Sequence, residues 1–345
     1  MIPPARPRRW PDGLGWALWA LTLLAVPAVA WLDHLLRQAG RPELAWLHLS
    51  GVPQVVAAVT GATVGAVVAS RRPRHPVGWL LLGLGLLLTL WGLTFAYSRY
   101  GLVARPGALP AASYLARLHN GIGTMWLSCA SFVLLLTPTG KLPSPRWRWW
   151  ARIAAASAGV WLLASVVHPV PLYPEYPTIE NPLAVPFLPR GPLDVAQPAA
   201  AVVILASLVV GAASLVGRFR RARGIERQQL RWLVWGAALA AVALLAAVAA
   251  LVLEDDVHLT DLALGVCAAV LPLATGAAIL RYRLYDLDRI ISRTLAYGLL
   301  TVVLGLGYTG VVLGLGWLLP KSSSLVVAGA TLAVAAMFQP ARRRI

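Results

Sequence analysis

Ten apolar blocks, most of them about 20 residues long, recur along the chain with short polar or basic segments between them. About 20 apolar residues wound as an α-helix cross a hydrocarbon core of about 30 Å. Only a helix or a closed barrel satisfies every backbone N–H and C=O in lipid, and blocks of this length fit helices. The expected fold is therefore an all-α polytopic integral membrane protein with about ten transmembrane helices in a single domain covering residues 1–345. The predicted spans are 14–32, 51–70, 77–97, 120–138, 153–170, 198–217, 233–253, 262–280, 294–319 and 325–338. The tenth is short for a bilayer and the ninth long enough to tilt. Charged residues make up 12% of the chain and hydrophobic residues 59%. That is about half the charge a soluble domain carries.

The basic residues set an orientation. With the N-terminus inside, 23 of the 30 Lys and Arg residues fall in segments facing the cytoplasm. They cluster at Arg6–Arg9, Arg71–Arg74, Lys141–Arg152, Arg218–Arg231, Arg281–Arg293 and Arg342–Arg344. Cytoplasmic retention of Lys and Arg predicts both termini inside. The 28 Arg against two Lys, with abundant Ala, Gly and Pro, are the bias of a GC-rich bacterial genome, which makes the expected membrane a bacterial plasma membrane. One loop resists the pattern: 98–119 carries Arg99, Arg105 and Arg117 on the outside with no acid. The first span, with its basic start and Ala28-Val29-Ala30, also matches a cleavable signal peptide. Its apolar run continues to Leu32, and a retained helix is the reading adopted.

A net charge of +17 raises the question of nucleic acid. No basic helix carrying base-reading or stacking residues stands apart from the apolar blocks, so the expected partner of this charge is the anionic lipid headgroup. Trp147, Trp149 and Trp150, interleaved with Arg146, Arg148 and Arg152, read as an interfacial anchor. Cys129 and Cys267 fall inside apolar blocks without CxxC spacing and read as small apolar fillers.

Within the blocks, Gly61–Gly65 and Gly310–Gly314 are GxxxG patterns that allow two backbones to approach, either in generic packing or at a dimer face. Pro27 and Pro272 lie inside spans. No Asp, Glu, Lys or Arg falls in the middle of a predicted span, which disfavours an ion-coupled carrier. His119 and His168 are the nearest titratable groups, at span ends. Thr60, Thr63, Ser128, Ser131, Thr275 and Thr309 are expected to bond their own helix backbones. HExxH, GxSxG and Walker-type motifs are absent, so no catalytic, cofactor-binding or metal-binding residue is expected, and no cofactor.

Three loops carry the remaining chemistry. The outer loop 171–197 holds Tyr173, Glu175, Tyr176, Glu180, Phe187 and Asp194 among prolines. It reads as a preformed ligand surface or as a semi-rigid connector. Glu254, Asp255, Asp256, His258 and Asp261 form an acidic run without oxygen-cage spacing. The inner loop 281–293 contains Arg281, Arg283, Tyr285, Asp286, Asp288 and Arg289. Leu284, Leu287 and Ile291 at helical spacing make it a short amphipathic helix on the inner face. It is either a candidate coupling element between the first eight helices and the last two or only an anchor on the membrane surface.

Several segments together resemble the N-terminal multi-pass membrane region of actinobacterial sensor histidine kinases. They are Arg72-Pro-Arg-His-Pro-Val-Gly-Trp-Leu80, Pro138-Thr-Gly-Lys-Leu-Pro-Ser144, Glu180-Asn-Pro-Leu183 and Glu226-Arg-Gln-Gln-Leu-Arg-Trp232. Leu280-Arg-Tyr-Arg-Leu-Tyr-Asp-Leu-Asp-Arg289, Ser292-Arg-Thr-Leu-Ala-Tyr-Gly298 and Phe338-Gln-Pro-Ala-Arg-Arg-Arg344 complete the set. The resemblance runs from about residue 70 to the end. Such kinases continue into dimerisation and ATP-binding domains, and these residues contain neither a phosphoacceptor helix nor an ATP site. The resemblance thus implies a signal-input module, stand-alone or truncated, without catalysis of its own. Its expected partners are the bilayer and a cytoplasmic signalling protein or a second copy, and not nucleic acid. A permease for an uncharged or lipidic solute is the rival reading, and a scaffold that only recruits partners is a third.

Overall fold

The computed structural model describes residues 10–47, 51–173, 179–185, 190–250 and 257–282. Nine α-helices occur among them: α1 Trp10–Gln38, α2 Val52–Arg71, α3 Pro76–Arg99, α4 Ala112–Ile122, α5 Met125–Leu136, α6 Trp147–Val167, α7 Arg190–Arg221, α8 Gly224–Ala249 and α9 Val257–Tyr282. No strand accompanies them among the described residues. Proline opens α2 and α3, at Pro53 and Pro76, where a missing N–H costs nothing.

With α4 and α5 taken as one broken span, Ala112–Leu136, eight helical segments are long and apolar enough to cross a membrane. They correspond to the first eight predicted spans, and the chain is an all-α polytopic membrane protein. The ninth and tenth predicted spans lie outside the described residues. Boundaries differ most where a helix carries polar residues. The fourth span begins at Ala112 rather than near 120, because α4 is an amphipathic stretch whose Arg117 and His119 find partners inside the bundle. The sixth helix begins at Trp147, and the seventh runs from Arg190 to Arg221, a full turn or more beyond the apolar block at each end.

The core is central to α2. Of its apolar window 78% is buried, against 17% for α6 at the periphery, so α2 is the post around which the others pack. It contacts α1, α3 and α9, while α5 and α6 reach α7, and α8 lies along α9. The α2–α3 hairpin is the tightest part. A methyl group on Gly65 would strike the Leu82 amide nitrogen and come within 2.7 Å of the Gly78 carbonyl. One on Gly85 would strike the Ala58 carbonyl and the Ala62 nitrogen. The Gly61–Gly65 pattern is thus consumed within the chain, backbone against backbone, where close packing replaces the hydrophobic drive that lipid cannot supply.

Two ends can be told apart by their hydrogen bonds. At one, which carries residues 98–112, 168–173 and 179–185, Gln54 of α2 donates its amide to the Asp261 carbonyl of α9 at 2.8 Å. Gly265 leaves room for that amide, and Gln54 Oε1 is buried without a partner. At the other, His75 and Arg218 reach the C-terminal end of α5. The outward faces are apolar. Val195, Val202 and Val209 form one exposed stripe on α7, and Trp235, Leu239, Val242 and Leu245 another on α8. Stripes of this size are not left to water.

Hydroxyls inside the helices divide. Thr63, Ser131 and Thr275 bond carbonyls of their own helices at 2.7, 2.8 and 2.9 Å. Thr60 Oγ1 and Ser128 Oγ are buried without a partner, contrary to expectation. Thr309 lies outside the described residues.

Candidate functional site

The polar residues that matter gather at the end carrying residues 168–173 and 179–185. After α3 the chain makes a π-helical turn, Tyr100–Ala104, before reaching α4. This turn, through Leu102 and Val103, and α4, through Ala116, pack against Leu172 and Tyr173, both buried. Tyr173 donates its hydroxyl to Ser98 Oγ at 2.6 Å. The Arg99 guanidinium lies 4.1 Å from the centroid of the Tyr173 ring and 5.2 Å from that of Phe95. Arg99 makes no ion pair among the described residues, and its Nε is buried without a hydrogen bond. Two aromatic faces thus flank the cation.

Arg117 is only 3% exposed. Its Nε donates to the Val166 carbonyl at 3.2 Å and its Nη2 to the His168 carbonyl at 3.3 Å. These oxygens end α6, where partial negative charge accumulates and a cation is favoured. Asn181 serves the same two carbonyls, at 3.0 and 2.8 Å, and accepts the Leu183 N–H on its own oxygen. Asn120 donates to the Leu172 carbonyl. The segment that links α6 to α7 is thus stitched onto the bundle from three helices. Deeper, α6 and α7 share two side-chain contacts one turn apart. His168 Nε2 lies 2.9 Å from Asp194 Oδ1, and Gln197 donates to Ser165 Oγ at 3.0 Å.

The chain matches no protein-family model, no curated protein and no solved structure. Its chemistry has to be read from its own geometry.

Below this network the fourth span is broken. α4 and α5 are separated by Gly123 and Thr124, and the Gly121 carbonyl accepts the Trp161 indole N–H at 3.0 Å. The His119 ring stacks on Trp91, with centroids 5.6 Å apart and planes within 4°, and its Nδ1 lies 3.1 Å from the Trp91 carbonyl. His119 thus sits two turns inside the observed span, deeper than its sequence position suggested.

Of the residues singled out on the outer loop, Tyr173 is at the centre of the network and Glu180 is exposed beside Asn181. Glu175, Tyr176 and Phe187 lie outside the described residues. Of the inner coupling loop, Arg281 lies in the last turn of α9, whereas Arg283, Tyr285, Asp286, Asp288 and Arg289 lie outside the described residues. Of the acidic run, His258 and Asp261 belong to the start of α9, and 254–256 is not described. Ser98, Asn181 and the pairing of His168 with Asp194 were not foreseen. The one signal for Arg99 and Arg117 was their unexplained place in an acid-free outer loop.

At the opposite end, His75 caps the turn between α2 and α3, with Nε2 3.1 Å from the Pro138 carbonyl. Burial holds its pKa below the usual 6.5 and nearby Arg72 adds to this, against the Pro138 bond. The folded protein therefore prefers neutral His75. Its stabilising contribution is complete above about pH 6.5 and is lost as pH falls through the lowered value. Melting temperature recorded from pH 7.5 to 5 should drop less in His75→Gln than in the natural protein. Equal drops would remove this histidine from the account.

Proposed function

We propose that the chain is a membrane signal-input module of the bacterial plasma membrane, with both termini cytoplasmic, whose stimulus acts on the Arg99–Tyr173–Arg117 end of the bundle. The observation that carries this reading is the construction of that end. A surface segment between two helices is fastened by buried arginine, asparagine and tyrosine contacts to α3, α4 and α6, and by the His168–Asp194 contact to α7. Anything that competes for those contacts alters the packing of four helices together, which is what an input unit requires. The cytoplasmic partner, or a second copy, would read the segment after α9. The module performs no catalysis of its own. In support, the network's buried hydroxyls, Ser98 and Ser165, bond Tyr173 and Gln197, and no histidine or carboxylate among the described residues bonds them.

The permease reading has one observation in its favour, the broken α4–α5 span, since discontinuous helices line solute sites in many carriers. Against it, the buried Gly121 carbonyl beside the break already accepts the Trp161 indole N–H. A void between α1, α2 and α3, lined by Val26, Val29, Val55 and Ala58, holds only about 10 Å³.

The test is a chimera in which the dimerisation and ATP-binding domains of a sensor kinase follow Ile345. Arg99→Ala and Tyr173→Phe should each change autophosphorylation several-fold at unchanged membrane abundance. Activity in cells also requires an inside C-terminus, because ATP is there. Unchanged output in both variants defeats the sensor reading. Facilitated uptake of an uncharged solute by proteoliposomes, abolished by Trp161→Ala, would establish the permease.

A further inference from the structure

The sequence carries no Asp or Glu between Glu43 and Glu175, and α6 lies inside that stretch. Its start nonetheless holds three arginines. Arg146 is the N-cap residue, Arg148 and Arg152 follow within the helix, and no acid occurs in the first turn. All three are exposed. The start of a helix favours anions and disfavours cations. Arg148 and Arg152 also stand four residues apart on one face, a spacing at which like charges repel. Neither makes an ion pair among the described residues. The helices packed on α6 are α4, α5 and α7, whose single acid, Asp194, is at the far end beside His168. Thus α6 and its neighbouring helices supply these cations with no counter-charge.

Further along, the same face turns apolar. Trp149 is 68% exposed, and the Arg152 guanidinium lies 5.1 Å from the centroid of its ring. Ile153, Val160 and Leu163 continue the face at helical spacing, each of them exposed. α6 is also the least buried of the eight spans. The order along the face is therefore cation, aromatic ring, then aliphatic side chains running into the bilayer. An acidic protein or a free phosphate would meet the arginines and leave the aliphatic part unused. An amphiphile with an anionic head and hydrocarbon tails matches both parts, and in the right order.

We propose that this face binds one anionic phospholipid, its phosphate bridged by Arg148 and Arg152 and its acyl chains lying along Ile153, Val160 and Leu163. Guanidinium groups donate paired hydrogen bonds to phosphate oxygens. The negative head offsets the repulsion between the two arginines and complements the start of α6. Such a site differs from the diffuse attraction of basic segments to lipid, because it depends on particular arginines and not on their number. It needs only the membrane-spanning fold and is independent of the signal-input reading.

Native mass spectrometry of the detergent-solubilised protein, titrated with dioleoyl phosphatidylglycerol or dioleoyl phosphatidylcholine, tests it. Each chain should retain one phosphatidylglycerol in preference to phosphatidylcholine. Arg148→Gln combined with Arg152→Gln should weaken that binding about thirtyfold, at about 1 kcal/mol for each arginine. In detergent alone this variant should melt no lower than the natural protein, since it loses a repulsion. Arg220→Gln combined with Arg221→Gln removes two exposed cations from the last turn of α7 and should leave lipid binding nearly unchanged. Equal losses in the two double variants would leave only diffuse attraction and overturn the site. Displacement of the lipid by millimolar glycerol phosphate would also overturn it, by making the head alone the ligand. So would retention of a polyglutamate peptide where phosphatidylglycerol is not retained, which would assign the face to an acidic protein.

Discussion

Replacing Gly65 with leucine should cost the protein roughly 3 kcal/mol or more, the range in which a backbone collision cannot relax. The position has no slack. A Cβ there meets main-chain atoms of Leu82 and Gly78, and main chain cannot rotate away as a side chain can. α2 would have to leave α3, and α2 also carries contacts to α1 and α9, so the loss spreads through the core. Gly159→Leu is the control, because a side chain at that position on α6 meets nothing within 4 Å. Titration of the reconstituted protein with dodecyl sulfate should shift the unfolding midpoint sharply for Gly65→Leu and scarcely for Gly159→Leu. Matching midpoints would show that α2 and α3 do not approach as described.

The second large effect belongs to Arg117. Exchange for leucine removes two charge-assisted bonds from the end of α6, worth roughly 1.5–3 kcal/mol. Lysine should recover only part, since its ammonium cannot present the two divergent donors that meet Val166 and His168. A sharper result comes from Asn181, which donates to those same carbonyls. Each residue covers for the other when one is lost. Arg117→Leu combined with Asn181→Leu should therefore cost more than the two single exchanges added together. Arg105→Leu, at an exposed position of the same segment, should be silent. Strict additivity in the dodecyl sulfate titration would mean that the two side chains do not share acceptors.

How much of this was legible beforehand depended on the range of the interaction. An apolar block reports its own helix, because the backbone bonds are made within it and lipid covers the rest. The first eight spans could accordingly be read from residues alone. α4 was shortened because its polar residues look like loop until their partners are known, and Arg117 meets His168 more than fifty residues later. The GxxxG pattern announced a close approach without naming the other helix, and it is the Gly78–Gly85 face of α3. Tyr173 was picked out for its type, an aromatic in a proline-rich loop, while its partner Ser98 is an ordinary serine at the end of an apolar run. Nothing local distinguishes that serine from Ser70 or Ser157. The network is made of such pairs, which is why its members were visible only as isolated residues.

The bond from Gln54 to Asp261 has a bearing on the order in which the protein is built. Helices enter the membrane as they are synthesised, so α2 arrives early and α9 much later. Until Asp261 is in place, the Gln54 amide has no acceptor on α9, and a polar group of that kind is poorly tolerated against acyl chains. The nascent hairpin of α2 and α3 is therefore an unfinished object, closed on its glycine face and open on its glutamine face. Arrival of α9 completes it and closes the circuit of helices upon itself. Removing the amide, as in Gln54→Leu, would free α2 from waiting and let early intermediates persist in lipid without their last partner.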